Sequence, residues 1–290
     1  MRNLHFSQRS IRQAKTAFQL IVGIALLMGS WASARAQDEL TLLAINPMRV
    51  PTQKIVDSFQ AKTGHKVKVT YGSSSETRRT VAKGQPLDVS LLIAPFPGAM
   101  ASGTIVLDSA TTVASILTGV AVPKGRPKPD ISTPAAVKKA LLAAKSIGYE
   151  DPDFSVFGQG PWEALNKLGI ADQVAAKSQV ELGPGGAGIS PSATNNAIHL
   201  NKRLEDGTID IGLVMFGDML PDGVYAADKN NYDIVGVLPH KVCTPIPVVG
   251  FISTHASDPA GAKALLQFLS SPEAEAIWKD AGYERYEPHS

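Results

Sequence analysis

The segment Tyr71-Gly72-Ser73-Ser74-Ser75-Glu76 places three hydroxyls and a glycine at the start of a helical stretch. Hydroxyls and unpaired backbone N–H groups at a helix start make an anion site. The same letters fit a capping box, in which Ser73 and Glu76, three apart, serve only their own helix. Both readings stand at this point. Earlier in the chain, Asn46 can donate to an oxyanion and Arg49 can grip a carboxylate through two parallel N–H groups. The plainer alternative is a surface arginine beside a turn. A third candidate is the segment 153–160 (DFSVFGQG). Its Gly158 and Gly160 permit close backbone approach, while Phe154 and Phe157 either wall a pocket or pack between lobes. Glu150, Asp151 and Asp153 crowd a strand end and could supply acid or base; without a partner they read as solvated or capping groups.

Other chemistry finds little support. Residues 183–188 (GPGGAG) match a dinucleotide fingerprint in letters. The proline spoils its tight turn, and no acidic strand end follows about 20 residues later, so a glycine-lined cleft loop is expected. There is no G-x-x-x-x-G-K-[ST] phosphate loop and no G-x-S-x-G elbow. His65, His199, His240, His255 and His289 are scattered, which gives no metal cluster, and no cofactor is expected. Cys243 is the only cysteine, so no internal disulfide can form.

The elements that would position these residues alternate between strand and helix. Strand 40–45 meets an Asn46-Pro47 break, and Pro51 opens a helix with Ile55, Val56 and Phe59 on one face and Gly64 at its end. Val67, Val69 and Tyr71 alternate with polar residues in a half-exposed strand. A short helix 76–83 stops at Gly84, and 87–94 is a largely apolar strand, the pattern of a sheet covered on both faces. Strand 113–122 leads through the proline-rich stretch 123–134 to a helix capped by Thr133 and opened by Pro134. Strand 146–149, loop 150–160, helix 161–168, strand 178–182, helix 192–206 and strand 209–216 continue the order. Strands 233–238 and 242–253 follow, then helices 259–269 and 272–281, each opened by proline. This alternation predicts an α/β protein of two doubly wound, parallel-sheet lobes. Residues 37–121 with 246–290 form lobe 1 and residues 122–245 form lobe 2. The two strands that join them place hinges near Val122 and Pro245, and the ligand lies in the cleft between lobes.

The first 36 residues differ from the rest. They carry Arg2, Arg9, Arg12, Lys15 and Arg35, no acid, an uncharged run at 17–29 and the small-x-small end Ala34-Arg35-Ala36. This reads as a secretory signal cut before Gln37, which puts the protein in the periplasm. The leader holds five of the 28 Lys and Arg and none of the 26 Asp and Glu, so its removal takes the formal charge from +2 to −3. A mildly acidic chain offers nucleic acid no basic field.

Nearly the whole mature chain resembles the periplasmic molybdate-binding proteins and their relatives among ABC-transporter solute-binding proteins. The likeness runs through Phe59-Gln-Ala-Lys-Thr-Gly64, Gly72-Ser-Ser-Ser75, Gly84-Gln-Pro-Leu-Asp-Val89 and Gly119-Val-Ala-Val122. It continues with Pro127-Lys-Pro-Asp-Ile-Ser-Thr-Pro134, Asp151-Pro152, Gly212-Leu-Val214 and Ser271-Pro-Glu-Ala274. The resemblance implies a hinged, type II solute-binding fold that holds an anion with hydroxyls and backbone N–H groups. Its implied partners are a small anionic ligand and an inner-membrane ABC permease, and the protein itself is expected to be a monomer.

Ser74 matches the family's oxyanion-binding serine. The Asn46-Pro47 region replaces the serine after the first strand, Phe157 falls near a small-residue position, Ala197 near a backbone donor, and Met215 replaces a tyrosine. A tetrahedral oxyanion needs several matched donors, so these changes favour an organic carboxylate over molybdate, with Arg49, Ser73 and Ser74 on its charge. Periplasmic aconitate isomerases resemble the same branch, so an isomerase of a tricarboxylate stays open, with Glu76, Asp151, Asp153 or His199 as a conceivable base.

Overall fold

The computed structural model describes residues 39–153, 155–181, 200–221, 223 and 231–285. The expected leader (residues 1–36), Phe154, the glycine loop 183–188, Ala197 and His199 lie outside them. The chain opens with β1 (Leu40–Ile45), a 3-10 turn (Asn46–Met48), α1 (Arg49–Thr63), β2 (Val67–Gly72), α2 (Ser74–Ala82), β3 (Val89–Ile93), α3 (Pro97–Ala101) and β4 (Thr111–Ile116). After Leu117 come β5 (Thr118–Pro123), α4 (Pro134–Ala143), β6 (Ile147–Glu150), α5 (Val156–Lys167), α6 (Ala171–Val174), β7 (Ser178–Glu181), α7 (Leu200–Glu205), β8 (Ile211–Met215) and β9 (Tyr232–Val237). It ends with β10 (Ile246–Ile252), α8 (Pro259–Leu269), α9 (Pro272–Asp280) and β11 (Tyr283–Glu284).

Local chemistry sets many of these boundaries. Gly64 takes a left-handed φ of 76° and closes α1. The helix begins at Arg49, two residues before Pro51, because the Asn46–Met48 turn runs straight into it. Pro51 then sits in the first turn, where its missing N–H costs nothing. The Thr133 hydroxyl accepts from Ala136 N–H ahead of Pro134, and Asp258 and Ser271 cap α8 and α9 in the same way.

Two sheets result. The first has the order β11-β4-β10-β3-β1-β2 and the second β7-β6-β8-β5-β9. The central strands are parallel as expected: β1 with β2 and β3, and β6 with β7 and β8. The sheets are nevertheless mixed, since β10 runs antiparallel to β3, and β5 antiparallel to β8. The register gives the reason. Val248 of β10 pairs with Ile93 at the end of β3, and Thr118 of β5 pairs with Met215 at the end of β8. A strand arriving from the other sheet therefore enters at the carboxyl edge and must run backwards. The expected strand 113–122 is two strands, β4 and β5, one in each sheet, and the passage between sheets is at Leu117, with Val122 inside the second sheet.

Both faces of the first sheet are covered. Leu40, Leu42 and Ala44 of β1 pack with Phe59, Leu265 and Trp278. Leu43, pointing the other way, packs with Val81, Leu92 and Phe251. Asp88 pins this half together. Its buried carboxylate accepts from Thr41 N–H and O–H, both at 2.8 Å, and from Ser257 N–H at 2.7 Å and O–H at 2.9 Å. Burial alone would raise its pKa, yet these hydrogen bonds outweigh burial and hold the carboxyl below its usual value.

Candidate functional site

β1 and β2 end together: Ile45 pairs with Gly72, so Asn46 and Ser73 leave the sheet side by side at its carboxyl edge. This is the edge at which the crossing strands enter, and ligands of open α/β sheets gather there. Arg49 and Asn46 are both exposed and are joined, with Arg49 Nη2 donating to Asn46 Oδ1 at 2.9 Å. The guanidinium carbon lies 4.1 Å from the centre of the Tyr71 ring, and the Tyr71 hydroxyl donates to the Arg49 carbonyl at 3.2 Å. Burial pushes the Tyr71 hydroxyl up to about 12, against the pull of the Arg49 charge, so it stays a donor. Asn46 and Arg49 thus form one preset group, with the Asn46 amide N–H pair left to donate.

The capping box is real. Ser73 Oγ accepts from Glu76 N–H at 3.2 Å, and the Glu76 carboxylate accepts from Ser73 N–H at 3.3 Å. Ser73 is therefore committed to its own helix, and Glu76 with it. Ser74 is different. Its Oγ is buried and has no hydrogen-bond partner among the described residues. A buried, unsatisfied hydroxyl costs about 1–3 kcal/mol. The N–H groups of Ser74 and Ser75 belong to the first turn of α2 and have no acceptor within the helix. An anion at this position would meet one buried hydroxyl and two helix N–H groups together.

Across from this edge, α5 begins at Val156 rather than at Pro161, five residues earlier than its proline suggests. Ser155 is the cap. Its Oγ accepts from Phe157 N–H at 3.2 Å and donates to the Glu150 carboxylate. Val156 is buried and Phe157 half-buried against the core of the first sheet, which draws the extra turn into the helix. Met215, 5% exposed, belongs to that same cluster. Val156, Phe157 and Met215 thus join the core of the first sheet to elements of the second. Gly158 lets α5 approach β6, and Gly160 lets it approach the crossing at Thr118: a Cβ would stand 2.0 Å from the Glu150 carbonyl oxygen and 2.3 Å from Thr118 Oγ1, respectively.

Glu150, expected like Asp151 and Asp153 to be solvated or capping, is instead partly buried and bonded to Ser155. Burial pushes its carboxyl pKa up, and the Ser155 hydroxyl offsets this only in part. The serine five residues after an acidic strand end was the available signal. Asp151 caps its own turn, accepting from Asp153 N–H at 2.9 Å, and Asp153 is exposed. Among the described residues no three His, Cys, Asp or Glu gather to hold a metal. The buried Cys243 thiol, 3.2 Å from Thr118 Oγ1, is pushed up to about 11 by burial and is no ready nucleophile.

A groove of about 380 Å³ runs between the end of β3 and α5, lined by Ala94, Pro95, Gln159, Glu163, Thr244 and Pro245 among others. One wall is a clamp on the returning chain. The Glu163 carboxylate accepts from Thr244 N–H and O–H, both at 2.8 Å, and pairs with Lys167 at 2.7 Å.

Known proteins share this architecture. The sequence profile of the family described as "Bacterial extracellular solute-binding protein" matches residues 40–284. An aconitate isomerase of a Pseudomonas species is 25% identical over 89% of this chain and 93% of its own. The molybdate-binding protein ModA of Rhodobacter capsulatus is 26% identical over 95% of this chain and 97% of its own. The structure of the periplasmic molybdate-binding protein of Azotobacter vinelandii superposes with a TM-score of 0.57 at 21% identity, covering 86% of this chain and all of that one, a likeness of fold.

Proposed function

We propose that this chain, which belongs to the bacterial extracellular solute-binding protein family, captures a small organic carboxylate at the carboxyl edge of its first sheet and presents it to an ABC permease. The observation that carries this reading is the buried, unpartnered Ser74 hydroxyl beside the free first-turn N–H groups of α2. A carboxylate is favoured over molybdate because Asn46 and the Tyr71-backed Arg49 offer a planar, two-point grip instead of a shell of hydroxyls. Residues 1–36 would direct export and be removed before Gln37. Closure would turn on Leu117 and on the chain before Pro245, drawing the carboxyl edges of the two sheets together.

The test is a thermal-shift screen, since a ligand that binds only the folded state raises the melting temperature. One panel holds molybdate, tungstate and sulfate, the other mono-, di- and tricarboxylates including both aconitate isomers. A shift with carboxylates alone supports the proposal. A shift with molybdate or tungstate alone overturns it.

A second reading rests on Glu150, a partly buried acid with a raised pKa at the end of β6, together with the aconitate isomerase relative. An isomerase of aconitate moves a proton, and a carboxyl whose pKa is raised by burial suits that task. Conversion of cis- to trans-aconitate by the pure protein, followed by NMR and abolished in Glu150→Gln, would favour this reading. No conversion leaves binding alone.

A further inference from the structure

Arg78 and Arg79 lie one helical turn beyond Ser74 and Ser75 on α2, each four residues after a serine, so each arginine shares a face with one serine. Side chains on a helix lean toward its N-terminus, which for α2 lies at the carboxyl edge of the sheet. Arg78 reaches that edge: its Nη1 donates to the Pro95 carbonyl at 2.7 Å, just past the end of β3. Between α2 and α3 lies a groove of about 440 Å³ whose lining includes Ser75, Arg78, Arg79, Pro95, Phe96 and Pro97. No carboxylate is among the residues that line it. Neither guanidinium meets an acid among the described residues, and burial together with the Arg79 charge works against the charge on Arg78. Two adjacent cations without a counter-ion, one of them half-buried, are an unbalanced feature in a chain whose net charge without the leader is −3.

We propose that Arg78 and Arg79 hold a second anionic group of the ligand, so that the site selects di- and tricarboxylates whose apolar carbons rest on Phe96 and the flanking prolines. The inference rests on the carboxylate reading of the Ser74 site and adds its specificity. Neighbours four apart on a helix are separated by about 5–6 Å, a span that carboxylates two or three carbons apart can bridge. A monocarboxylate would use Ser74 and the α2 N–H groups and leave the arginines unused.

Calorimetric titration with citrate, succinate and acetate, on the wild type and on Arg79→Gln, Arg78→Gln/Arg79→Gln and Ser74→Ala, tests this. Arg79 is exposed and makes no side-chain hydrogen bond or ion pair among the described residues, so Arg79→Gln remains informative if the double variant folds poorly. The expected result is citrate binding about thirtyfold weaker in the double variant and several-fold weaker in Arg79→Gln, with acetate within about twofold of wild type. Ser74→Ala weakens all three. Citrate affinity unchanged by the arginine variants while Ser74→Ala still weakens it overturns this inference alone. Wild-type affinity in Ser74→Ala overturns the underlying site, and an equal loss of acetate and citrate in the arginine variants shows general electrostatics rather than selection. Absence of carboxylate binding by the wild type overturns both.

Discussion

Gly158 of α5 lies against the end of β6 so closely that a Cβ on it would stand 2.0 Å from the carbonyl oxygen of Glu150. The carboxylate of the same Glu150 is held by the Ser155 hydroxyl that caps α5. Strand end, cap and helix start are therefore one rigid corner, and it carries Val156 and Phe157 onto the core of the first sheet.

Gly158→Ala should break that corner. The clash is with backbone, which cannot swing aside, so the substitution should destabilise the fold by about 3 kcal/mol. Urea unfolding measures it; a midpoint equal to wild type would show that α5 can move away freely.

Two carboxyls should give opposite pH signatures. Asp88, depressed by its hydrogen bonds, contributes stability above its unfolded pKa of about 3.9, and that contribution is lost as pH falls through its lower native value. Asp88→Asn should therefore cost about 3 kcal/mol at pH 7 and converge on wild type in acid. Glu150 is raised by burial, so wild-type stability declines as pH rises from the unfolded value of about 4.3 through the native one. Glu150→Gln should match wild type near pH 4 and exceed it at pH 8. Parallel stability curves for either pair would contradict the assigned shift.

Adjacent serines should behave differently on removal. Ser73→Ala loses a helix cap and should cost about 1 kcal/mol. Ser74→Ala removes a buried hydroxyl with no partner and should leave the free protein as stable or up to about 1 kcal/mol more so. Equal destabilisation in both would mean that Ser74 is structural.

Arg49→Ala should weaken carboxylate binding at least about tenfold, or 1.4 kcal/mol. Its guanidinium is exposed, stacked on Tyr71 and steadied by Asn46, so the fold should not depend on it. Unchanged affinity on calorimetric titration would remove Arg49 from the site.

The alternation of strands and helices was legible because its signals are local: the Gly64 end of α1, the Thr133-Pro134 start of α4 and the largely apolar run of β3. The split at Leu117 was not, because residues 113–122 are uncharged and buried throughout in two sheets and only pairing partners divide them. Pro161 misled for a related reason. A proline rule places a helix start locally, while the start of α5 is fixed by Ser155, by Glu150 and by the core that Val156 and Phe157 enter. In the serine loop, sequence offered cap and ligand site as rivals. The fold assigns the cap to Ser73 and leaves Ser74 over, a division that depends on which hydroxyl faces the helix N–H.

The most direct measurement is the affinity of wild type and Ser74→Ala for citrate by calorimetry at one pH and salt concentration. The account predicts at least about a tenfold loss without loss of stability, because the hydroxyl acts on the ligand and not on the fold. Citrate binding of wild-type strength in Ser74→Ala would contradict it.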